Sequence, residues 1–247
     1  MAQALARMNT LSRQGLCAMA PLGILAFWDG LWTAGRRFPS VYDWRYMTIS
    51  NLVYADRNPD GYQWAWSGLI LCALGGLCWT TVLIRDRRGD GAGRLPLGIQ
   101  ALVLGYVCMV CALLPERLLR IPKGHEILAL LAFFGLCIGI VQLTFQTAER
   151  SLRRRTRSFP GGPRLYAGLL AGIALAPVLL AGIAPAYVSL ARPELPWVGP
   201  EWRARGVPGY LSFAFWEWMT CVVFSAYTAS LCLVTKVLSN VRSTPTV

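Results

Sequence analysis

Residues 211–235 read LSFAFWEWMTCVVFSAYTASLCLVT, an apolar stretch in which Glu217 is the only charged side chain. Wound as an α-helix at about 1.5 Å per residue, a stretch of this length crosses the roughly 30 Å hydrocarbon core of a bilayer. A carboxylate there costs about 2.5–3.5 kcal/mol on insertion scales, so an intramembrane acid is a functional-site hypothesis by default. The segment predicts both a membrane helix and a candidate site residue.

Five further apolar stretches precede this one, and the chain is 55% hydrophobic and only 15% charged. Soluble domains carry about 25% charged residues. The stretches are too long for barrel strands, and open backbone cannot cross lipid, so we predict helices. The predicted spans are 15–34, 63–84, 95–114, 125–147, 165–189 and 211–235. They take up most of the chain, which indicates an all-α, polytopic membrane protein with one six-helix domain over residues 1–247.

Positive charge is unevenly distributed between the two sets of connections. With six spans both termini lie on one side, and 14 of the 24 Lys and Arg residues fall there, six of them within 150–164. The positive-inside rule then predicts cytoplasmic termini. The net charge of +12 could suggest nucleic acid. A juxtamembrane arginine cluster is instead typical of contact with anionic lipid headgroups, so we expect no nucleic-acid partner.

The cysteines and glycines favour helix packing over chemistry. All eight cysteines fall inside predicted spans, so we expect free thiols. Cys108 and Cys111 form a CxxC pair, but one pair and a single histidine are too few for a typical zinc site, and we predict no metal or cofactor. Glycine pairs at 135/139 and 168/172 predict close packing of spans 4 and 5 against neighbouring helices.

Ionisable residues converge at one end of the predicted bundle. Asp29 lies near the outer end of span 1, whereas His125 and Glu126 open span 4. Glu217 lies about two turns below the outer end of span 6, and the long first outer loop covers the same end. The sequence therefore predicts one polar site on the outer-leaflet side.

Structural roles compete with functional ones at these positions. Asp29 could pair with Arg36 or Arg37, and a histidine at a helix start is often a capping residue. A first-turn glutamate such as Glu126 is favoured by the helix dipole by about 0.3–1 kcal/mol. Glu217 has no basic residue within a turn of it in sequence, so its partner must come from another helix. It is the strongest functional candidate.

Short motifs resemble those of the FRAG/DRAM/Sfk superfamily of six-span membrane proteins. The matching residues are His125, Ala129, Phe133 and Gln146-Thr147 in span 4, Glu217, Trp218 and Tyr227 in span 6, and Ile49-Ser50-Asn51 in the first loop. Asn51 stands where that superfamily has an acid. A related group of bacterial six-span proteins of unknown function is similar to about the same degree.

The resemblance implies lipid handling without implying one shared chemistry. We therefore expect an integral, multi-pass membrane protein that binds or helps remodel a lipid from the outer-leaflet side, and we leave open whether it is an enzyme. The alternatives are a small-solute or proton-coupled transporter, with Asp29 and Glu217 as relay carboxyls, and a non-catalytic scaffold. Basic residues are almost all arginine, which favours a bacterial membrane slightly over a eukaryotic one.

The predicted site assigns a role to each polar group. His125 would be the general base, and Glu217 an orienting or proton-donating carboxyl. The predicted ligand contacts are Asp29, Asn51, Arg45, Arg117, Glu126 and Trp218. The expected partners are membrane lipids, with anionic headgroups at the arginine cluster 150–164, and the oligomeric state stays open.

Overall fold

The computed structural model describes residues 2–89, 95–114, 123–155, 162–196 and 201–242, and all regular elements in these ranges are helical. The six long helices are α1 (Ala2–Arg36), α2 (Tyr62–Gly89), α3 (Leu97–Cys111), α4 (Gly124–Arg155), α5 (Gly162–Ala191) and α6 (Phe213–Arg242). Short helical turns at Ser50–Val53, Glu201–Ala204 and Gly209–Leu211 lie in the connections before α2 and α6. The all-α prediction is confirmed, and each predicted span coincides with one long helix.

Four of the described helices are long and apolar enough to cross a membrane by length and composition. They cover Ser12–Arg36, Tyr62–Arg87, Gly124–Thr147 and Gly168–Ala191. The third predicted span is shorter than expected, because α3 has 15 residues, about 22 Å, and 112–114 form a turn. The α6 helix, with 30 residues, also has the length that a membrane crossing requires. The chain has the composition and architecture of a multi-helix membrane protein.

Glycines bring the backbones of α1 and α2 into direct contact. A Cβ atom added at Gly30 would lie 2.5 Å from the Trp64 carbonyl oxygen, which is closer than real Cβ contacts. Gly68 and Gly75 on α2 and Gly23 on α1 face the opposite backbone in the same way. The glycines are seven residues apart on each helix, so they repeat along one face every two turns.

A second close pair is formed by α3 and α4, as the sequence predicted. A Cβ added at Gly135 would lie 2.7 Å from the Ala101 carbonyl oxygen, and one at Gly139 would meet the α3 backbone at 2.9 Å. The matching prediction for α5 is wrong. Cβ atoms added at Gly168 and Gly172 would meet nothing within 4 Å in the described chain, since this face of α5 points away from the bundle.

Helices that follow one another in the chain pack side by side, and α6 closes the bundle against α1 and α4. The α5 helix packs against α4 and α6. Buried side chains such as Trp79, Leu102 and Ile140 fill the interior. At one end, Arg13 on α1 and Asp86 on α2 form a salt bridge of 2.5 Å.

The opposite end carries the connection between α1 and α2, residues 37–61, and we call it the loop end. Asn58 is fully buried and ties this loop to the bundle. Its Nδ2 donates hydrogen bonds to the carbonyl oxygens of Ala34, at 3.1 Å, and Leu52, at 3.2 Å. Residues 58–61 form a turn, with the Gly61 N–H donating to the Asn58 carbonyl. The loop is therefore an ordered cover over the ends of the helices.

Candidate functional site

A cavity of about 210 Å³ lies inside the bundle at the loop end. Its described lining comes from α1, α2, α3, α4, α6 and the first loop. Ser50, His125 and Glu217 line it near the loop, whereas most of the remaining wall is aliphatic or aromatic. The cavity wall is thus mostly apolar, and its carboxyl and imidazole lie at one end.

Each lining helix presents one face to the cavity from the loop end inwards. On α6 the lining runs from Glu217 to Thr228, a distance of about 16 Å at the helical rise. The deepest lining residues of the five helices are Ala20, Gly76, Tyr106, Ile140 and Thr228. We call these five residues the floor of the cavity.

Glu217 is bound to the first loop through the backbone. Its Oε2 accepts a hydrogen bond of 3.0 Å from the N–H of Ile49. No salt bridge to Glu217 occurs within the described chain. The predicted partner from elsewhere in the fold is therefore a neutral backbone donor, and the carboxyl lines the cavity without a compensating cation from the described residues.

The neighbouring loop residues are fixed by aromatic side chains. Trp218 donates from Nε1 to the Met47 carbonyl at 3.3 Å. The Tyr42 hydroxyl lies 2.8 Å from the Met47 carbonyl oxygen and 2.9 Å from that of Thr48. Burial, and then the nearby Glu217 carboxylate, raise the pKa of Tyr42, so the phenol keeps its proton and acts as a donor. This arrangement holds the Ile49 N–H against Glu217.

His125 has a defined tautomer because of its contact with the turn that follows α3. Its Nδ1 lies 2.5 Å from the carbonyl oxygen of Ala112, and a carbonyl can only accept, so Nδ1 carries the proton. In the neutral ring Nε2 then has the free lone pair. The ring packs against Tyr54 with centroids 4.9 Å apart and lines the cavity. His125 can therefore act as a hydrogen-bond acceptor or base.

Two of the predicted acids do not join this group. Asp29 is exposed near the loop end of α1. The preceding Trp28 faces the bundle and donates from Nε1 to the Ser225 hydroxyl at 3.1 Å, and consecutive helix residues point about 100° apart. Glu126 is exposed in the first turn of α4, next to His125. Neither carboxyl belongs to the cavity lining in the described chain.

The remaining predicted contacts support the loop and lie outside the cavity lining. Arg45 is exposed and binds Asp43, with 2.9 Å between Nε and Oδ1. Asn51 accepts a hydrogen bond of 2.6 Å from Arg57 and donates one to Thr48. Trp218 contacts the loop as described above. Arg117 lies outside the described residues, as do 156–161 of the arginine cluster 150–164.

The sequence analysis did not identify the hydroxyl side chains of α6 as cavity residues, although their spacing from Glu217 indicates a shared helix face. Thr220, Ser225 and Thr228 follow Glu217 at intervals of three, eight and eleven, which places them on one helix face. In the loop, the Thr48 and Ser50 hydroxyls lie 2.6 Å apart. This pairing depends on the loop conformation, so no sequence pattern indicated it.

The described part of the chain contains neither a group of residues that could hold a metal ion nor a disulfide bond. No three His, Cys, Asp or Glu residues there lie close enough to hold a metal ion. All eight cysteines belong to described helices, and no disulfide joins any two of them. What the site offers is a carboxyl, an imidazole nitrogen and a hydroxyl at the mouth of an apolar cavity.

The Asp43–Arg45 pair predicts a pH dependence of loop stability. Hydrogen bonding from Arg45 holds the pKa of Asp43 below its usual value. A carboxyl whose pKa is lower in the folded than in the unfolded chain stabilises the fold at any pH above its unfolded-state pKa, which is near 4. This stabilisation is lost as the pH falls through the folded-state pKa. We expect Asp43→Asn to lower the melting temperature at neutral pH and to match the wild type in acid. A difference that persists unchanged in acid would contradict this.

The fold and the cavity define a class, a helical membrane protein with an internal cavity at one end. The chain matches no protein-family model, no curated protein and no solved structure. Its function has to be argued from its own residues.

Proposed function

We propose that the protein binds, and helps remodel, a lipid that reaches the cavity from the outer leaflet. The observation that supports this is the division of the lining, with Glu217, His125 and Ser50 at one end and a mostly aliphatic and aromatic wall beyond them. An amphiphile is divided in the same way into a polar head and an apolar tail. Burial of the tail supplies the binding free energy, and the polar end fixes orientation.

The proposed membrane arrangement has six spans and cytoplasmic termini. The positive-inside rule supports it, because the connections on the side of the termini hold the larger share of arginines, including 150–164. The loop end then faces outward, as an outer-leaflet site requires. On the inner side the arginines of 150–164 would contact anionic headgroups. The arginine-rich composition favours a bacterial inner membrane slightly over a eukaryotic plasma membrane or endomembrane.

The polar end has the groups that proton transfer needs. His125 Nε2 would accept a proton from a water or hydroxyl at the headgroup, since Nδ1 is committed to Ala112. Glu217 would orient the headgroup or donate a proton, while its hydrogen bond from Ile49 keeps the carboxyl in place. Lipid remodelling is therefore proposed together with binding.

A transporter is less well supported by the arrangement of polar groups. A polar route from the loop end would have to continue to the opposite end, where Gln100 and Gln142 are the candidates. Gln100 is exposed and donates to the Leu95 carbonyl, at 2.6 Å. Gln142 is part-buried, and neither glutamine belongs to the described lining. The carboxyl and imidazole of the cavity thus stay at one end, and only isolated hydroxyl groups such as that of Thr228 lie deeper, which favours a lipid over a solute.

Filling the cavity should remove bound lipid. Thr220 is fully buried in the lining, and its hydroxyl donates only to the Trp216 carbonyl of its own helix, so Thr220→Phe adds bulk to the cavity without breaking a tertiary hydrogen bond. We expect the purified variant to retain at least about tenfold less lipid than the wild type, equivalent to about 1.4 kcal/mol of binding free energy. Native mass spectrometry followed by lipid extraction measures this.

The matched control is Val222→Phe, two residues along the same helix on the exposed face. It adds comparable bulk toward the surroundings and should retain lipid like the wild type. Equal lipid content in both folded variants, or a wild type that carries no defined lipid, would contradict the proposed function and leave the scaffold as the better explanation.

A further inference from the structure

We infer that the cavity takes a single acyl chain, with its polar end at Glu217 and His125 and its methyl end at the floor. The inference rests on the proposed lipid function and adds the class of ligand and a limit on its length. Fatty acids, single-chain lipids and one chain of a two-chain lipid share this chemistry, and the experiment below separates them.

The shape of the cavity supports one chain and not two. A space of about 210 Å³ distributed over a depth of about 16 Å along α6 is deep and narrow. Its long axis follows the helices, because each lining helix contributes residues from the loop end down to the floor. An extended acyl chain lying parallel to the helices fits this shape, whereas the paired chains of a diacyl lipid are wider.

The floor is closed by tightly packed side chains. The ring of Tyr106 lies directly against Gly76, where any Cβ atom would collide with it. Ile140 and Ala20 are nearly inaccessible, with exposed fractions of 1% and 2%. Because packed interiors resist the insertion of even one extra methylene group, a chain that reaches this floor cannot extend further without displacing it. The floor should therefore set a sharp upper limit on chain length.

The mouth offers both a polar end and a lateral opening. Ala129, one turn beyond His125 on α4, lines the cavity and is exposed. Glu217 and Ser50 are partly accessible at the same level. A chain could therefore enter beside Ala129 with its headgroup left at the carboxyl and the imidazole. Up to the limit set by the floor, each added methylene should strengthen binding roughly fourfold.

The experiment measures chain-length preference with and without a change in the floor. Purified wild-type protein is titrated with saturated fatty acids and lysophosphatidylcholines from hexanoyl to stearoyl, and with diacyl phosphatidylcholines of the same chain lengths, using native mass spectrometry. We expect affinity to rise with length and then fall sharply. Ile140→Phe should move this limit to shorter chains, and Ile140→Ala to longer ones. Ile138→Phe, on the exposed face of the same helix, should leave it unchanged.

The outcomes separate this inference from the proposed function. A limit that stays in place in the folded Ile140 variants, or wild-type protein that prefers the diacyl lipid without a length limit, overturns the single-chain inference and leaves lipid binding intact. If the wild type retains none of the amphiphiles, the proposed function fails as well. Should Ile140→Phe not fold, Ile140→Ala alone decides, because it removes bulk where the phenylalanine adds it.

Discussion

Glu217→Gln is expected to abolish the effect of the protein on membrane lipids while leaving the chain folded. The amide oxygen of glutamine can still accept the hydrogen bond from the Ile49 N–H, so the loop should stay in place. What the substitution removes is the charge and the exchangeable proton of the carboxyl. A positioned proton donor or acceptor contributes about 100- to 10,000-fold to a rate, and we expect a loss of at least about 100-fold.

The measurement is the lipid composition of cells that lack the protein and are complemented with the wild type or with Glu217→Gln. Only the wild type should restore the composition, with equal amounts of both proteins in the membrane. Glu126→Gln is the matched control, because Glu126 is an exposed glutamate outside the described cavity lining. Full rescue by Glu217→Gln would show that the carboxyl has no chemical role.

Glu217→Leu separates the chemical contribution of the carboxyl from its structural one. Leucine cannot accept from Ile49, and leaving that buried N–H unpaired costs about 1–3 kcal/mol. Only this variant should lower the melting temperature and make the first loop more sensitive to proteolysis. If Glu217→Gln destabilises the chain as much as Glu217→Leu does, the carboxyl acts by holding the loop. That result would favour the non-catalytic scaffold over a lipid-remodelling protein.

Much of the helical architecture could be predicted from sequence because lipid imposes length and apolarity on each span. The long helices lie where the apolar stretches indicated, and the third stretch alone ends early, at Cys111. The sequence also placed His125 and Glu217 at the same end of the bundle, and both line one cavity. That prediction needed only the alternating direction of consecutive spans.

Helix rotation could not be predicted, and it decides which acids reach the cavity. Span 1 is apolar on most of its surface, so its sequence does not indicate which face points inward. In the structure Trp28 faces inward and Asp29 outward, although they are adjacent. The backbone partner of Glu217 was equally hidden, because any loop N–H in reach could have served. The Ile49 N–H is the donor because Tyr42 and Trp218 bind the backbone carbonyls just before it and so fix this part of the loop.

The close contact of α1 and α2 predicts that Gly30→Ala will be among the most destabilising single substitutions in the chain. The added methyl group would lie 2.5 Å from the Trp64 carbonyl oxygen, a backbone atom that cannot rotate away. Relief requires the two helices to separate. Because Gly23 and Gly68 make similar backbone contacts, separation would loosen the packing along much of the pair. Overpacking of this kind costs about 1–3 kcal/mol.

Gly15→Ala provides the control on the same helix, since a Cβ atom there meets nothing within 4 Å in the described chain. Alanine has the higher helix propensity, so this variant should be neutral or more stable by up to about 1 kcal/mol. The two substitutions add the same methyl group and should shift the melting temperature in detergent in opposite directions. Equal effects would mean that α1 and α2 do not depend on glycine contact. In that case the glycine contacts would not be what holds the α1 and α2 walls of the cavity in place.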